Sequence, residues 1–497
     1  MWKRIILLLA LLFALFGVVF VLPRVLERGV SPTGTTAETP AELPTESMEE
    51  SSFPHETVET ERETTQPETE YYPGEPVVRE KVPSNLLFAS DIHYMSQSLT
   101  DYGQAFNELV DNGDGKVVRY MPQIWQAFAA EVTAAAPDAL VLSGDLTLNG
   151  EKVNHEELAA LLGQIEAAGV QVLVIPGNHD INNPYATSYF GEKQSFVEQV
   201  TPEEFRRIYG PYGYDEAVSH APDSLSYLYI LNDTTWMMML DTCIYDPFNE
   251  VGGILNDGTV EWMEQCLRSA YEQGITVIPV GHHNLQELSR VYVDECVIEN
   301  YEDVMHILEK YLTPAYFSGH LHVQRIQKHI TEPGVADNVY GIYEVVSNSL
   351  IIPPCQYGSL SLAADGSMSY HTRNTDISAW AAANGETNPD LLDFSTFSNV
   401  YLRNVISHQT YRAIEDIPDE LRSKLADFYA DLYQDYYAGR KIDYEAKLKE
   451  EGYRLWDRFM NPSIQFRQVE GMMKDSMVEN NNAEIPNPIF QVRESHP

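Results

Sequence analysis

Residues 172–180 read Val-Leu-Val-Ile-Pro-Gly-Asn-His-Asp, and this stretch decides the fold. Four consecutive apolar residues, three of them β-branched, predict a buried strand that the Pro-Gly pair ends. The polar side chains of Asn178, His179 and Asp180 follow immediately after that strand. A polar motif directly at the end of a buried strand indicates a functional site.

The same arrangement recurs four more times along the chain. Apolar runs at residues 86–89, 139–142, 275–280 and 315–317 each precede a short polar motif, in order Asp91-Ile92-His93, Gly144-Asp145, Gly281-His282-His283-Asn284 and Gly319-His320-Leu321-His322. Helical periodicity separates several of these runs, at residues 119–136, 156–168, 260–271 and 303–311. Strands that alternate with helices predict a layered α/β sandwich.

The residue types in these motifs indicate a metal site. Six of the fourteen histidines lie within the five motifs, beside aspartates and an asparagine. Imidazole, carboxylate and amide oxygen together suit Mn, Fe or Zn. In a strand-like segment, residues two apart point the same way, so Asp91 and His93 can reach one ion, as can His320 and His322.

The motif set, in this order, resembles the calcineurin-like metallophosphoesterase superfamily over residues 85–373. Residues 137–150 and 174–180 are most similar to class III cyclic-nucleotide phosphodiesterases, and the helical C-terminal part looks like the extra domain of some bacterial members. The resemblance implies an α/β/β/α metallophosphoesterase sandwich with two divalent or trivalent metal ions. It also implies a small phosphate-ester substrate, a phosphodiester such as a cyclic nucleotide, attacked by a hydroxide that bridges the ions.

The resemblance also assigns residue roles. Asp91, His93 and His322 would bind one ion, Asn178, His282 and His320 would bind the other, and Asp145 would bridge both. His179 would be a catalytic residue outside the metal coordination, and Asp180 would orient it. Phosphomonoesterase and sphingomyelinase-like phosphodiesterase activities remain open on the same site. A catalytically silent surface-binding module is a further alternative, although all seven ligand positions are filled.

Several other residues carry weaker predictions. His283 is expected to lie behind the ligands, because its neighbour His282 points the other way. Asn149 is assigned either to support of the bridging loop or to a turn, and residues 112–116 are assigned to a turn. Residues 181–220 are rich in aromatic side chains, which either wall the substrate pocket or pack in the core. Aromatic residues at helical spacing within residues 418–438 are assigned to packing.

The N-terminal region predicts a membrane attachment. Residues 5–22 are uncharged and apolar, long enough to nearly span a bilayer, so residues 1–30 are interpreted as a signal anchor. Residues 31–80 hold thirteen Glu, two Arg, ten Thr and seven Pro, and residues 31–84 are therefore interpreted as a disordered linker. The sandwich is expected to span residues 85–375, and a helical domain residues 376–497. The protein is expected in the cell membrane, with its catalytic domain outside the cytoplasm, or secreted if the segment is cleaved.

The overall charge excludes one class of partner. The 497 residues carry 74 acidic and 32 basic side chains, a net charge of -42. Proteins that hold phosphate backbones need an excess of Lys and Arg, so a nucleic-acid-binding surface is not expected. A single small anion remains compatible with this charge, because bound metal ions reverse the local field.

Overall fold

The computed structural model describes residues 74, 77–329, 341–415 and 417–488. Its strands are, in chain order, β1 (Ser84–Ala89), β2 (Ala139–Ser143), β3 (Gln171–Ile175), β4 (Thr187–Phe190), β5 (Lys193–Phe196), β6 (Ser219–His220), β7 (Tyr227–Asn232), β8 (Thr235–Met239), β9 (Thr276–Val280), β10 (Ala315–Ser318), β11 (Arg325–Lys328), β12 (Tyr343–Val346), β13 (Gln356–Leu362), β14 (Met368–Asn374) and β15 (Asn482–Ile485).

These strands build two mixed β-sheets and a hairpin. The six-stranded sheet has the order β15-β14-β13-β1-β2-β3, with β1, β2 and β3 parallel and the other pairs antiparallel. The seven-stranded sheet has the order β11-β12-β10-β9-β8-β7-β6, and β8, β9, β10 and β12 run parallel within it. Strands β4 and β5 form a separate hairpin.

The helices are, in chain order, α1 (Gln104–Asn112), α2 (Met121–Ala135), α3 (Lys152–Ala167), α4 (Pro202–Ile208), α5 (Asp257–Gln273), α6 (Tyr301–Lys310), α7 (Ile377–Ala383), α8 (Pro389–Leu392), α9 (Phe394–Ala413), α10 (Asp419–Tyr437), α11 (Tyr444–Lys447), α12 (Glu451–Met460) and α13 (Ile464–Asp475). Short 3-10 turns occupy Gln97–Leu99 and Val118–Tyr120, and one π turn occupies Gly210–Tyr214.

The two sheets face each other across an apolar core, as the predicted sandwich requires. Phe88 of β1 stacks on Phe317 of β10 with their ring centroids 4.2 Å apart. Helix α3 packs on β3 of one sheet, and helix α5 packs on β9 of the other. Burying alternate faces of both sheets in this way is the main source of stability for such a layered fold.

The C-terminal helices pack directly on the sandwich. Tyr433, Tyr436 and Tyr437 of α10 are buried in a second apolar cluster that also contains Leu321 and Val346 of the sandwich. This confirms that the aromatic residues of this helix are packing residues. The region is not purely helical, however, because β15 returns to pair with β14 at the edge of the six-stranded sheet.

The predicted linker ends earlier than residue 84. The buried Lys81 donates a hydrogen bond from Nζ to the carbonyl oxygen of Gly274 at 2.6 Å, and Val82 N donates to Thr234 Oγ1 at 2.8 Å. Part of the predicted linker, at residues 79–82, therefore contacts the folded body. Among the residues that the structure describes, no helix has the length and hydropathy needed to cross a bilayer. The predicted anchor and most of the predicted linker lie outside the described residues.

Candidate metal centre

The polar motifs meet where parallel strands of both sheets end. Asp91 and His93 follow β1, Asp145 follows β2, Asn178 follows β3, His282 follows β9, and His320 and His322 follow β10. Carboxyl ends of parallel strands share an edge, so residues separated by more than 200 positions in the chain become neighbours. The structure brings all seven predicted ligands together, and their role as ligands stays a prediction.

Four of these side chains form a first group. One ligand atom from each of Asp91, His93, Asp145 and His322 lies within 4.8 Å of the others. The Nε2 atom of His322 is 3.1 Å from His93 Nε2 and 3.2 Å from Asp91 Oδ1. These separations leave room for one cation between the atoms.

The second group lies on the other side of Asp145. The Oδ1 atom of Asn178 is 3.1 Å from His282 Nε2 and 2.9 Å from His320 Nδ1. Asp145 faces both groups, since its Oδ1 lies 3.5 Å from His282 Nε2 and its Oδ2 lies 3.7 Å from His93 Nε2. This placement is what a bridging carboxylate requires.

Each ligand histidine has an inner ring nitrogen, which faces the other ligands, and an outer one, which points away from them. The hydrogen bonds of the outer nitrogens test whether the groups fit a cation. His282 Nδ1 is 2.8 Å from the carbonyl oxygen of Ser143, and His320 Nε2 is 3.1 Å from that of Glu295. A carbonyl oxygen only accepts, so these outer nitrogens carry the protons and donate. In the neutral imidazoles, the inner nitrogens of His282 and His320 then point lone pairs at the Asn178 oxygen. Acceptors that face each other without a proton between them fit a bound cation.

The backbone at these motifs adopts an uncommon conformation. Asp91, His93, Asp145, His320 and His322 have φ values of 51°, 44°, 49°, 70° and 55°. Non-glycine residues with positive φ are rare and cluster at functional sites, where the surrounding structure offsets the strain. A Cβ atom added to Gly177 would lie 2.1 Å from Asp145 N, so only glycine allows the two motif loops to pack this closely.

His179 lies beside the two groups, as its predicted role requires. Its Nδ1 donates to the carbonyl oxygen of Leu148 at 2.8 Å and lies 3.1 Å from Asn149 Oδ1. Its Nε2 is therefore the free nitrogen and lies 3.9 Å from Asp145 Oδ2. Asn149, which the sequence assigned equally to a turn, contacts this ring directly.

Asp180 makes no hydrogen bond to the His179 ring in the described part of the chain, and its predicted role in orienting that ring stays a prediction. Its Oδ1 accepts from Thr147 N and Thr147 Oγ1, both at 2.9 Å, and its Oδ2 accepts from Leu146 N at 3.0 Å and Gly177 N at 2.8 Å. Asp180 therefore ties the loop that carries Asp145 to the loop that carries Asn178. Burial and the Asp145 charge raise the pKa of Asp180 to about 7, although the hydrogen bonds from the amide donors act in the opposite direction.

His283 lies behind the second group, as the sequence predicted. Its position near His282 and His320 resembles that of a ligand, but both of its ring nitrogens are used elsewhere. Nε2 donates to the carbonyl oxygen of Val251 at 2.8 Å, and Nδ1 lies 2.8 Å from Thr242 Oγ1. Its ring therefore supports the loop rather than facing the site.

Sequence reasoning missed Asp114, which contacts one of the predicted ligands. Its Oδ2 lies 2.9 Å from His322 Nδ1 and also accepts from Lys116 Nζ at 2.9 Å. Burial and the Lys116 ammonium lower the pKa of His322, but the carboxylates of Asp91 and Asp114 outweigh them and raise it to about 9. The segment looked like an ordinary turn, and only the contact with a residue 208 positions away reveals its role.

The aromatic segment at residues 181–220 packs mainly in the core. Tyr209, Tyr212 and Tyr214 are buried, and Tyr209 contacts the ring of Phe205. Burial lowers the pKa of the neighbouring His155 to about 3, and its Nδ1 is hydrogen-bonded to Tyr209 Oη at 2.9 Å. These contacts favour packing over a substrate wall for this part of the segment.

Comparison with protein families identifies two regions of the chain. Residues 84–324 match the model of the calcineurin-like phosphoesterase family, and residues 376–479 match the model described as the C-terminal domain of cyclic nucleotide phosphodiesterase. The first region contains all seven predicted ligands, and the second begins where the sandwich was expected to end.

Two bacterial relatives carry the name probable cyclic nucleotide phosphodiesterase. The Moraxella catarrhalis protein is 24% identical over 204 residues, which cover 41% of this chain and 63% of the relative. The Xenorhabdus bovienii protein is 20% identical over 192 residues, which cover 39% of this chain and 64% of the relative. The matched region thus spans less than two thirds of either relative.

Among solved structures, two similar chains are phosphatases. A dimetal phosphatase from Danio rerio matches with 13% identity and a TM-score of 0.43, over 59% of this chain and 96% of its own. A purple acid phosphatase from yellow lupin matches with 13% identity and a TM-score of 0.40, over 60% of this chain and 53% of its own.

Proposed function

We propose that this chain, which carries a calcineurin-like phosphoesterase domain followed by a cyclic nucleotide phosphodiesterase C-terminal domain, hydrolyses a phosphodiester with two bound metal ions. The observation that carries the proposal is the convergence of acceptors around Asp145. Imidazole lone pairs, carboxylate oxygens and one amide oxygen face each other in two adjacent groups, with the outer nitrogens of His282, His320 and His322 already hydrogen-bonded.

The donor set defines which residues would hold the ions. Asp91, His93 and His322 would hold one, Asn178, His282 and His320 the other, and Asp145 both. Mixed nitrogen and oxygen ligands suit Mn, Fe or Zn. Such a pair of ions, when bound, clamps a phosphoryl group and makes water nucleophilic at neutral pH.

The chain's own contribution to the chemistry is centred on His179. Its Nδ1 proton is held by the Leu148 carbonyl, which fixes the ring and leaves Nε2 directed at the site. When the His179 ring carries protons on both nitrogens, Nε2 would be placed to donate a hydrogen bond to the oxygen of the departing alcohol and to pass its proton to that oxygen, which would leave the ring neutral. Asn149 would hold the same ring from its outer side.

The substrate class proposed is a small phosphodiester of the cyclic-nucleotide type. Support comes from the names of the two bacterial relatives and from the second matched region. Assays of Mn²⁺-loaded protein on cyclic AMP, bis(p-nitrophenyl) phosphate and p-nitrophenyl phosphate would test this. We expect metal-dependent turnover of both diesters and slower turnover of the monoester. A preference for the monoester would make the chain a phosphomonoesterase, and no turnover of any ester would refute the enzymatic function.

We also propose that the enzyme is tethered to the cell membrane with its catalytic region outside the cytoplasm. The support is the apolar run at residues 5–22 and the acidic, Pro- and Thr-rich spacer behind it. In cells that express the full chain, the protein should stay with the membrane fraction after alkaline carbonate extraction. Recovery in the culture medium would indicate that the segment is cleaved.

A further inference from the structure

The loop at residues 113–117, termed here the Asp114 loop, connects the metal centre to the C-terminal helices. Asp114 accepts from both His322 Nδ1 and Lys116 Nζ, each at 2.9 Å, on the same carboxylate oxygen. The side chains of Asp114 and Lys116 are about one tenth exposed. The carboxylate is therefore a buried partner of one predicted ligand, and its position depends on how the loop is held.

Helix α9 of the C-terminal region holds this loop at three points. Tyr401 Oη donates to the carbonyl oxygen of Lys116 at 3.0 Å. Gln409 Nε2 donates to the carbonyl oxygen of Gly113 at 2.7 Å. Between them, Gly115 has a φ of 97°, and a Cβ atom added there would lie 2.2 Å from Leu402 Cδ1.

We infer that helix α9 positions Asp114, and that Asp114 in turn fixes the ring of His322 for metal binding. The inference rests on the proposed function, because it takes His322 as a ligand. The C-terminal region would then act on the metal centre indirectly, through Asp114. It would set the affinity for the ion at the Asp91, His93 and His322 group.

The hydrogen bonds define how this positioning acts. With Nδ1 held by Asp114, His322 directs its Nε2 into the first group, 3.2 Å from Asp91 Oδ1 and 3.1 Å from His93 Nε2. A carboxylate behind a ligating histidine fixes the tautomer and the ring orientation, and its loss lowers metal affinity by about 10- to 100-fold. Asp114 itself belongs to neither ligand group, so it is a positioning residue and not a ligand.

Two sets of variants separate this role from general destabilisation. Asp114→Asn removes the charge behind His322, and Tyr401→Phe combined with Gln409→Ala removes two contacts made by helix α9 to the loop. Asn404→Ala, an exposed position on the same helix, is the matched control. Mn²⁺ affinity and stoichiometry would be measured by calorimetric titration of the full chain, together with its melting temperature and its activity at low and high Mn²⁺.

We expect Asp114→Asn to weaken the binding of one of two ions by about 10- to 100-fold, with the other ion unaffected. The double variant should weaken the same ion by roughly threefold to tenfold, since each lost hydrogen bond is modest. Excess Mn²⁺ should restore the rate in both, which it would not do for a misfolded protein. If the double variant unfolds, Tyr401→Phe alone replaces it in the test, and we expect a smaller loss of affinity for the same ion.

Three results would overturn the inference. Wild-type affinity for both ions in Asp114→Asn would show that the carboxylate does not set the His322 ring. Wild-type affinity in both the Tyr401→Phe and the double variant would show that helix α9 does not position the loop. Equal loss of both ions would indicate a structural role for the residue concerned. Wild-type protein that binds no Mn²⁺ would instead refute the proposed function, and this inference with it.

Discussion

Substitution of Asp180 by asparagine gives the sharpest test of how the site is assembled. Both carboxylate oxygens of Asp180 accept two hydrogen bonds, from Leu146 N and Gly177 N on one oxygen and from Thr147 N and Thr147 Oγ1 on the other. An amide group has only one acceptor oxygen, so either orientation of the introduced amide would turn its NH₂ group toward two donors. At a pH well above 7, where the carboxylate is ionised although its pKa is raised to about 7, at least two charge-assisted hydrogen bonds are lost, each of which contributes about 1.5 to 3 kcal/mol. Asp180→Asn should therefore lower the free energy of unfolding by about 3 to 6 kcal/mol.

The expected loss should appear in both stability and metal content. Urea unfolding would measure the free energy, and metal analysis of the folded variant should find fewer ions than in the wild type, because the loops of Asp145 and Asn178 are no longer tied together. Asp233→Asn, an exposed turn position, is the control and should change stability by less than about 0.5 kcal/mol. If Asp180→Asn instead keeps full stability and both ions while losing rate as His179→Ala does, Asp180 acts through His179 and the loop-tying role is refuted.

Four further perturbations test the rest of the site. Asp145→Asn should reduce the occupancy of both ions and lower kcat/KM by roughly 1,000-fold, since this carboxylate faces both ligand groups; retention of two ions per chain in metal analysis would contradict a bridging role. His179→Ala should keep both ions and lower kcat by roughly 100-fold or more in steady-state assays, and loss of an ion would make the ring a ligand. Burial raises the pKa of Glu344 from 4.5 to about 8, and it outweighs the hydrogen bonds from Leu285 N and Ser318 Oγ, which lower the pKa. The folded state thus retains a proton that the unfolded state has lost, so stability conferred by this group is full below pH 4.5 and declines as the pH rises to about 8. The difference in unfolding free energy between wild type and Glu344→Gln should change by at most about 1.4 kcal/mol per pH unit in that window, and a difference independent of pH would show that Glu344 does not titrate there. Removal of metal with EDTA should abolish the binding of inorganic phosphate in calorimetry, whereas binding that persists without metal would place the anion site elsewhere.

The sequence predicts the candidate ligand residues better than the residues that hold those ligands in place. Asp91, Asp145 and Asn178 were recognisable because each directly follows an apolar strand, and parallel strands bring their ends to one edge. The position of each polar residue directly after a strand is therefore enough to predict that these side chains lie close together. The role of Asp180 depends on backbone amides, which every residue carries, so no side-chain pattern announces it. The role of Asp114 depends on a contact across 208 positions, which no local pattern encodes.

The same distinction applies to the fold. The five strands that precede the polar motifs, β1, β2, β3, β9 and β10, were predicted to within a few residues, since each is a buried apolar run. Strand β15 was missed because its four residues, Asn482–Ile485, are too few for their alternation of polar and apolar side chains to be recognised, and its conformation depends on pairing with β14. Helix α9 lies within the predicted helical domain, but its bounds were not predicted, because its polar and apolar residues show no single clear stripe along its 20 residues.

Because the chain is strongly acidic, the metal ions of the proposed function would also contribute to substrate binding. The five strand-end segments, residues 90–93, 144–150, 176–183, 281–284 and 319–322, contain no lysine or arginine. The nearby Lys116 ammonium is already hydrogen-bonded to Asp114. A phosphate ester that approaches the site meets the carboxylates of Asp91 and Asp145 on a chain with a net charge of -42. Because two divalent ions more than balance these two carboxylates, the ions would be needed to bind the anion as well as to activate water. Substrate affinity, and not rate alone, should therefore depend on metal occupancy, and changes in Asp114 that weaken one ion should raise KM before they lower kcat.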